Sequence, residues 1–396
     1  MGGDVMGTYL AFDFGASSGR AVIGKLENNK LLIEEIHRFS NEPVYLGERY
    51  VWDFPKLFNE MKIALKKTSL LEQRIKSIGI DTWGVDFGLI DKNDNLIGMP
   101  LHYRDKRSYI GLESTRKIIS DKELHMRTGN AVMPINSIFQ LMADKEVRTD
   151  ILNSSKSLLF MPDLFSYFLT KEIHSEYTIA STSGLMNIDK KDWDYQLIDK
   201  LGLPKNIFNK IIEPGEIFGY LTEDIIKETG LYNVPVIAVG EHDTASAVLA
   251  APFEECAFLS CGTWSLLGIE VDKTIINNKT YYNNFTNEGG VLGKVIFLKN
   301  INGLWLLQQL KKTWCEFHEK IDFPDIIEAA RKASCKHFIL NTNDEELMNS
   351  INIIESIKKY CIKNNQGEPK SLGEFAIAIY NGLVNEYNNT IKEMED

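Results

Sequence analysis

Tyr9-Leu-Ala-Phe-Asp13-Phe-Gly15-Ala-Ser-Ser-Gly19-Arg20, running straight into Ala21-Val-Ile-Gly-Lys-Leu26, reads as two apolar strands joined by a turn of small and hydroxyl residues. The second half repeats the figure. Cys256-Ala-Phe-Leu-Ser260-Cys-Gly262-Thr263-Trp-Ser265 leads into Leu266-Leu-Gly-Ile-Glu-Val271. Such turns leave backbone N–H groups and a hydroxyl without ladder partners, which is what a phosphate needs as a cradle. One hairpin tip of this kind would be ordinary. Two, in separate halves, predict ATP clamped between two similar α/β domains.

Working outward, the first half alternates strands and helices. Strands are expected at 8–14, 20–26, 30–39, 75–81 and 84–91, with helices near 54–70, 105–119, 136–148 and 162–170. Pro235-Val-Ile-Ala-Val-Gly240 reads as a buried strand ending in the polar run Glu241-His242-Asp243-Thr244, and a helix follows. The domain boundary is placed there, giving domains 1–240 and 241–396. The second domain is expected to hold three strands (256–261, 265–271 and 294–299), then a helix at 303–318 and further helices. The last of these, 371–394, carries a long apolar stripe. Asn283-Asn-Phe-Thr-Asn287-Glu288-Gly289-Gly290 reads as a polar loop.

Composition narrows the function classes. The chain has 396 residues, 44% of them hydrophobic and 25% charged, as in soluble globular proteins. Its net charge of −11 argues against a nucleic-acid or anionic-membrane partner. No apolar run approaches the ~20 residues of a membrane helix, and Met1–Met6 shows no leader signature. The five cysteines (256, 261, 315, 335 and 361) form no C-x-x-C pair. A cytoplasmic protein with structural thiols is expected.

Several residues carry candidate chemistry. Asp13, beside the first turn, can hold Mg²⁺ near phosphates, or cap a turn. In Asp81-Thr-Trp83-Gly84-Val-Asp86, an indole face with nearby acids suits a sugar, although a buried Trp with hairpin acids fits equally. Asp243 stands at the carboxyl end of a strand, where ligands bind in α/β proteins, and can accept a hydroxyl proton. It can also serve as a helix N-cap. His102-Tyr103-Arg104-Asp105-Lys106-Arg107 reads first as a solvated charged turn, and second as a link to a sugar pocket. No P-loop and no G-x-G-x-x-G occurs, so the phosphate grip is of another kind.

The stretches Phe12-Asp-Phe-Gly-Ala-Ser-Ser-Gly-Arg20, Ile80-Asp-Thr-Trp-Gly-Val-Asp-Phe87, His242-Asp-Thr-Ala-Ser-Ala247, Ser260-Cys-Gly-Thr-Trp-Ser265, Asn287-Glu-Gly-Gly290 and Asn300-Ile-Asn-Gly-Leu-Trp-Leu-Leu-Gln308 together resemble the FGGY carbohydrate kinases. Within them they resemble the branch acting on L-rhamnulose. The resemblance runs from about residue 9 to 390. It implies two ribonuclease H-like domains of the actin/hexokinase type with a nucleotide and sugar cleft between them. It also implies ATP- and Mg²⁺-dependent phosphorylation of the L-rhamnulose 1-hydroxyl, by a monomer or homodimer. Carried over by position, Ala16, Ser17, Ser18, Gly19, Arg20, Thr263 and Gln308 would contact ATP, and Asp13 would sit near the metal. Gly84, His242, Asp243, Thr244 and Asn300 would line the sugar, with Asp243 as proton acceptor; Trp83 joins them on the indole argument above. Family members continue beyond this point with a Gly-rich strand and loop holding the adenosine, so the second domain is expected to be incomplete. A kinase for another ketose and a catalytically silent sugar-binding module are the alternatives.

Overall fold

The computed structural model describes residues 7–27, 30–71, 74–251, 256–334, 337–348 and 350–395. Met1–Met6 and Cys335 lie outside these. The chain divides into two compact units. Unit 1 comprises Met1–Glu254, Glu270–Tyr282 and Thr286–Phe297, and unit 2 comprises Glu255–Ile269, Asn283–Phe285 and Leu298–Asp396. The 240/241 boundary expected from sequence falls inside unit 1, so His242 and Asp243 belong to unit 1.

Unit 1 is built on a six-stranded sheet in the order Ile217–Tyr220, Pro235–Ile237, Ile75–Thr82, Gly7–Phe14, Ser18–Glu27, Lys30–Ser40. Leu10, Phe12 and Phe14 alternate along the first strand and point into one core with Ile78, Ile80 and Val236, as the two-residue strand period requires. The helix Phe54–Ser69 closes this core through Phe54, Leu57, Met61, Ala64 and Leu65, the i, i+3, i+4 stripe of an amphipathic helix. Its start is set by Asp53, whose carboxylate accepts the Lys56 N–H at 3.2 Å, and by Pro55 in the first turn.

Three strands of this sheet run parallel. Gly7–Phe14 pairs in parallel with Ile75–Thr82, register Asp13↔Asp81, and Pro235–Ile237 pairs in parallel with Ile75–Thr82 on its other side. A further parallel bridge joins Thr82 to His242. The carboxyl ends of all three therefore come out at one edge of the sheet.

Unit 2 packs the helices Trp305–Phe317, Phe323–Lys332, Ile353–Lys363 and Leu372–Glu395 around Leu306, Leu310, Ile326, Ile357, Phe375 and Ile379. The hairpin Ala257–Cys261/Trp264–Val271 opens a four-stranded sheet continued by Val295–Asn302 and Phe285–Gly289, of which Glu270–Val271, Val295–Phe297 and Thr286–Gly289 count with unit 1. Three strands were expected here. Phe285–Gly289, read as a polar loop, is a fully buried strand. Asn287 is tolerated inside because its amide is fully bonded. The Asn287 amide accepts from Ile275 N at 2.8 Å and donates to Ile275 O and Gly129 O. Among the described residues no helix is long and apolar enough to cross a membrane.

Candidate active site

The parallel register and the Thr82–His242 bridge bring three acids together: Asp13 and Asp81 at the ends of their strands, and Asp243 next to the bridged His242. Asp13 is paired with Arg20 across the first hairpin, with Nε and Nη2 donating to its Oδ2 at 2.8 and 2.7 Å. Burial first, then the Asp13 and Asp243 carboxylates, hold the Asp81 pKa well above the usual range, against the pull of Arg20. The Asp243 side chain keeps 38% of its surface open, so a ligand can reach it. Protein crowding on its other sides nonetheless raises its pKa, opposed by His242 and by the Thr244 N–H, which donates to Oδ1 at 2.7 Å. Asp243 is thus both the first residue of the helix Asp243–Leu249 and an accessible carboxylate of raised basicity.

His242 lies between acids. Its Nε2 is 3.4 Å from Asp243 Oδ1 and its Nδ1 3.2 Å from Glu288 Oε2. The Nδ1 contact is close in distance but poorly aligned as a hydrogen bond, so it acts mainly as an ion pair. Burial lowers the His242 pKa, but Glu288, Asp243 and Glu176 outweigh it and bring it to about 9. The ring is therefore an imidazolium at neutral pH. Behind it, Asp163, Glu176 and Glu241 are all fully buried. Neither Glu241 oxygen accepts from an N–H or hydroxyl, and its carboxyl lies against that of Asp163. Burial, then the Asp163 and Glu176 carboxyls, push its pKa far up. Glu176, with four donors, is pushed by burial to about 7.

The loop after Ile75–Thr82 is braced from beneath. Asp86 is completely buried. Its Oδ2 accepts from Trp52 Nε1 at 2.7 Å, Trp83 Nε1 at 3.1 Å and Tyr103 N at 3.1 Å, and its Oδ1 accepts from Gln140 Nε2 at 2.9 Å. With its lone pairs so engaged, Asp86 is a brace and not a sugar ligand. Trp83 is 5% exposed and packs against Trp52 with centroids 4.0 Å apart and the rings tilted by 37°. Of the two readings of this segment, the buried Trp is the one observed. Val85 holds a left-handed backbone (φ 68°), rare for a β-branched residue. It is pinned by Ser137 Oγ, which donates to its carbonyl at 2.6 Å, and by Thr182 Oγ1, which accepts its N–H at 3.2 Å. Gly84 lies flush against His242: a Cβ there would stand 3.3 Å from Nε2 and 3.4 Å from Thr182.

The 102–107 segment departs from its first reading as a solvated turn. His102 and Arg107 are buried. His102 stacks on Trp52, and burial pulls its pKa down to about 3. Arg107 donates to Asp144 and Gln140 at 3.0 Å, joining the network under Asp86.

Both small-residue turns have the expected form. In the first, Gly15 N donates to Ser18 O at 2.9 Å, and Asn41 ties down the Ser17 and Gly15 carbonyls. Among the described residues no intrachain hydrogen bond takes the N–H of Ala16 or Ser17. In the second, in unit 2, Gly262 N donates to Trp264 O at 2.9 Å, and Gln308 Nε2 donates to Thr263 Oγ1 at 3.3 Å. Asn300 lies half-buried on Val295–Asn302, also in unit 2. A nucleotide phosphate with Mg²⁺ fits the first turn and its surroundings. Free N–H groups and Arg20 suit the phosphate oxygens. Asp13 has spent only Oδ2 on Arg20, which leaves Oδ1 for a divalent cation. Among the described residues no three His, Cys, Asp or Glu side chains close into a metal cage.

Sequence reading missed Glu176, Thr178, Thr182, Trp52 and Gln140. Their roles arise from contacts many residues away, and their local pattern carries no motif.

Residues 8–250 match the N-terminal domain, and residues 257–396 the C-terminal domain, of the FGGY family of carbohydrate kinases. The chain is 38% identical to the rhamnulokinase of Bacteroides thetaiotaomicron over 390 residues, 98% of this chain and 79% of the relative. It is likewise 38% identical to that of Oceanobacillus iheyensis over 388 residues, 98% and 82% respectively. Among solved structures, a ligand-bound xylulose kinase from Lactobacillus acidophilus superposes with TM-score 0.78 at 14% identity, covering 98% of this chain and 78% of that one. Plasmodium falciparum glycerol kinase with ADP does so with TM-score 0.74 at 15% identity, covering 98% and 79%. At such identities the two structures speak to the fold alone.

Proposed function

The chain belongs to the FGGY family of carbohydrate kinases and is itself a carbohydrate kinase, and we propose that it transfers the γ-phosphoryl group of ATP to the 1-hydroxyl of L-rhamnulose in the cytoplasm. The observation that carries the chemistry is the meeting of Asp13, Asp81 and Asp243 at the ends of parallel strands beside a phosphate-type turn. The choice of sugar rests on the two rhamnulokinases, whose likeness covers 98% of this chain.

In this reading Asp243 accepts the proton of the attacking hydroxyl, and its raised pKa makes it the stronger base. The His242 imidazolium, held by Glu288, orients Asp243 and the sugar oxygens. Gly84 and Thr244 line the sugar, Trp83 stiffens the wall from behind, and Asn300 belongs to the same proposal as a sugar contact. Ala16, Ser17, Ser18, Gly19 and Arg20 take phosphate oxygens, and Thr263 and Gln308 belong to the same proposal as nucleotide contacts. Asp13 would hold Mg²⁺, which supplies positive charge against the transferring phosphoryl oxygens. Positioning of this kind can account for ~7–11 kcal/mol of a barrier.

The test is ADP release with Mg²⁺-ATP and L-rhamnulose, in parallel with L-fuculose and L-xylulose, on the parent chain and on Asp243→Asn. The expected outcome is turnover highest in kcat/KM for L-rhamnulose, abolished in Asp243→Asn with sugar binding by calorimetry retained. Equal turnover of the variant would remove Asp243 as the base, and preference for another ketose would replace the substrate. Sugar binding unaffected by ATP, without turnover, would favour a silent binding module.

A further inference from the structure

The segment bearing Asp243 is fastened from an unexpected side. The strand Pro235–Ile237 ends well before Asp243, and His242, the N-cap of the helix Asp243–Leu249, makes no side-chain cap bond. What holds Glu241 and His242 is a buried stretch that begins at Glu176. Glu176 Oε1 accepts Thr178 N at 2.8 Å. Its Oε2 accepts the Thr178 hydroxyl at 2.6 Å, Ile179 N at 3.0 Å and Glu241 N at 3.3 Å. Having given its proton to Glu176, the Thr178 hydroxyl oxygen accepts the His242 N–H at 3.1 Å. Both amides preceding Asp243 thus end on Glu176, one directly and one through Thr178. On the opposite side the Glu241 carbonyl accepts Thr82 N at 2.9 Å.

The same stretch reaches the other walls. Ser181 Oγ accepts Gly289 N at 2.7 Å, next to the Glu288 that pairs with His242. Thr182 Oγ1 accepts Val85 N, next to Gly84. Glu176, Thr178, Ser181 and Thr182 are each at most 3% exposed, so none of them is placed to meet a ligand. Their hydroxyls and carboxylate are spent on backbone amides in or near the residues that do.

We propose that Glu176 and Thr178 are positioning residues for the phosphoryl-transfer reaction, fixing Asp243 and His242 through the amides of Glu241 and His242. This rests on the reading of Asp243 as the base. A displacement of about 1 Å in a catalytic group can cost on the order of a hundredfold in rate, and these bonds are what opposes such a displacement.

The experiment compares Thr178→Val, which keeps shape and loses the hydroxyl, with Thr178→Ser, which keeps the hydroxyl. Each is made in the parent chain and in Asp243→Asn. Turnover and the KM for L-rhamnulose are measured together with amide hydrogen exchange across residues 236–244. The expected result is a kcat about tenfold or more lower in Thr178→Val, with KM within about twofold and faster exchange confined to that segment. Thr178→Ser should restore both, and Thr178→Val should add nothing to the loss already present in Asp243→Asn. Normal kcat in Thr178→Val beside a dead Asp243→Asn would overturn the inference while leaving the base in place. Turnover by Asp243→Asn would instead overturn the base. Should the parent chain show no turnover, exchange decides: unchanged protection in Thr178→Val, or equal loss in Val and Ser variants, overturns the proposal.

Discussion

Replacing Asp86 by Asn and by Ala should give sharply different proteins, because the cost lies in the four donors around one carboxylate. In Asp86→Ala, Trp52 Nε1, Trp83 Nε1 and Tyr103 N lose their acceptor, while Gln140 Nε2 keeps the Ile135 carbonyl at 2.9 Å. At ~1–3 kcal/mol for each orphaned buried donor, the gross cost is on the order of 6 kcal/mol. Against it stands relief of a buried charge. Burial raises the Asp86 pKa from 3.8 to about 6 despite its donors, and each unit is worth about 1.4 kcal/mol, so ionisation inside the fold costs about 3 kcal/mol. The net loss for Ala at pH 7 is therefore on the order of 3–4 kcal/mol. Asn keeps an oxygen for the three donors at Oδ2 and meets one donor–donor conflict at Gln140, about 1–3 kcal/mol. That conflict is largely offset by the same relief. Asp86→Asn should lie within about 1 kcal/mol of the parent at pH 7.

The sign of the pH dependence separates this account from simple packing. A carboxyl whose folded pKa is raised keeps its proton in the fold while the unfolded chain releases it, so the parent loses stability as pH rises from 3.8 to about 6. Asp86→Asn has no such group. Urea unfolding followed by tryptophan fluorescence at pH 4 and pH 7 should show the variant gaining about 3 kcal/mol relative to the parent across that interval. A constant difference between the two pH values, or an Asn variant as damaged as Ala, would refute the reasoning.

Two further outcomes are expected. Stability should fall steadily from pH 5 to 9. Glu176 retains its proton up to about 7 in the fold, and the stability His242 contributes is full below 6.5 and lost as pH passes about 9. Thermal melts that are flat or rise over this range would contradict the assignment, and Glu288→Gln should flatten the upper limb. Gly84→Ala should weaken L-rhamnulose binding about tenfold, since its Cβ meets His242 Nε2 at 3.3 Å and Thr182 at 3.4 Å. Its melting temperature should barely change, and an unaltered KM would show that Gly84 is not in the sugar wall.

The hairpins were legible because their information is local: apolar alternation, then small residues at the tip. The strand expected at 8–14 is Gly7–Phe14, and the one expected at 256–261 is Ala257–Cys261. Phe285–Gly289 escaped because Asn, Glu and Gly are poor strand formers, and what keeps Asn287 inside are bonds to Gly129 and Ile275 that no window of sequence displays. Trp83 was legible as important but not in its manner of acting, since its ring is taken up by Trp52 and its N–H by Asp86. The run Tyr177–Ser183 shows neither helix nor strand period, and its meaning lies wholly in the amides it meets.

The register Asp13↔Asp81 has a further consequence. Neighbouring strands lie ~4.8 Å apart, so the separation of those two acids is set by the sheet and not by the settling of loops. Ionising both acids therefore works as the charging of a capacitor: strand pairing fixes the gap, and the cost of the second charge adds to burial in the raised pKa of Asp81. A divalent cation discharges it. Ion affinity and resistance to unfolding are then two readings of one stored quantity, and a substitution that neutralises one plate gives up the first to gain the second.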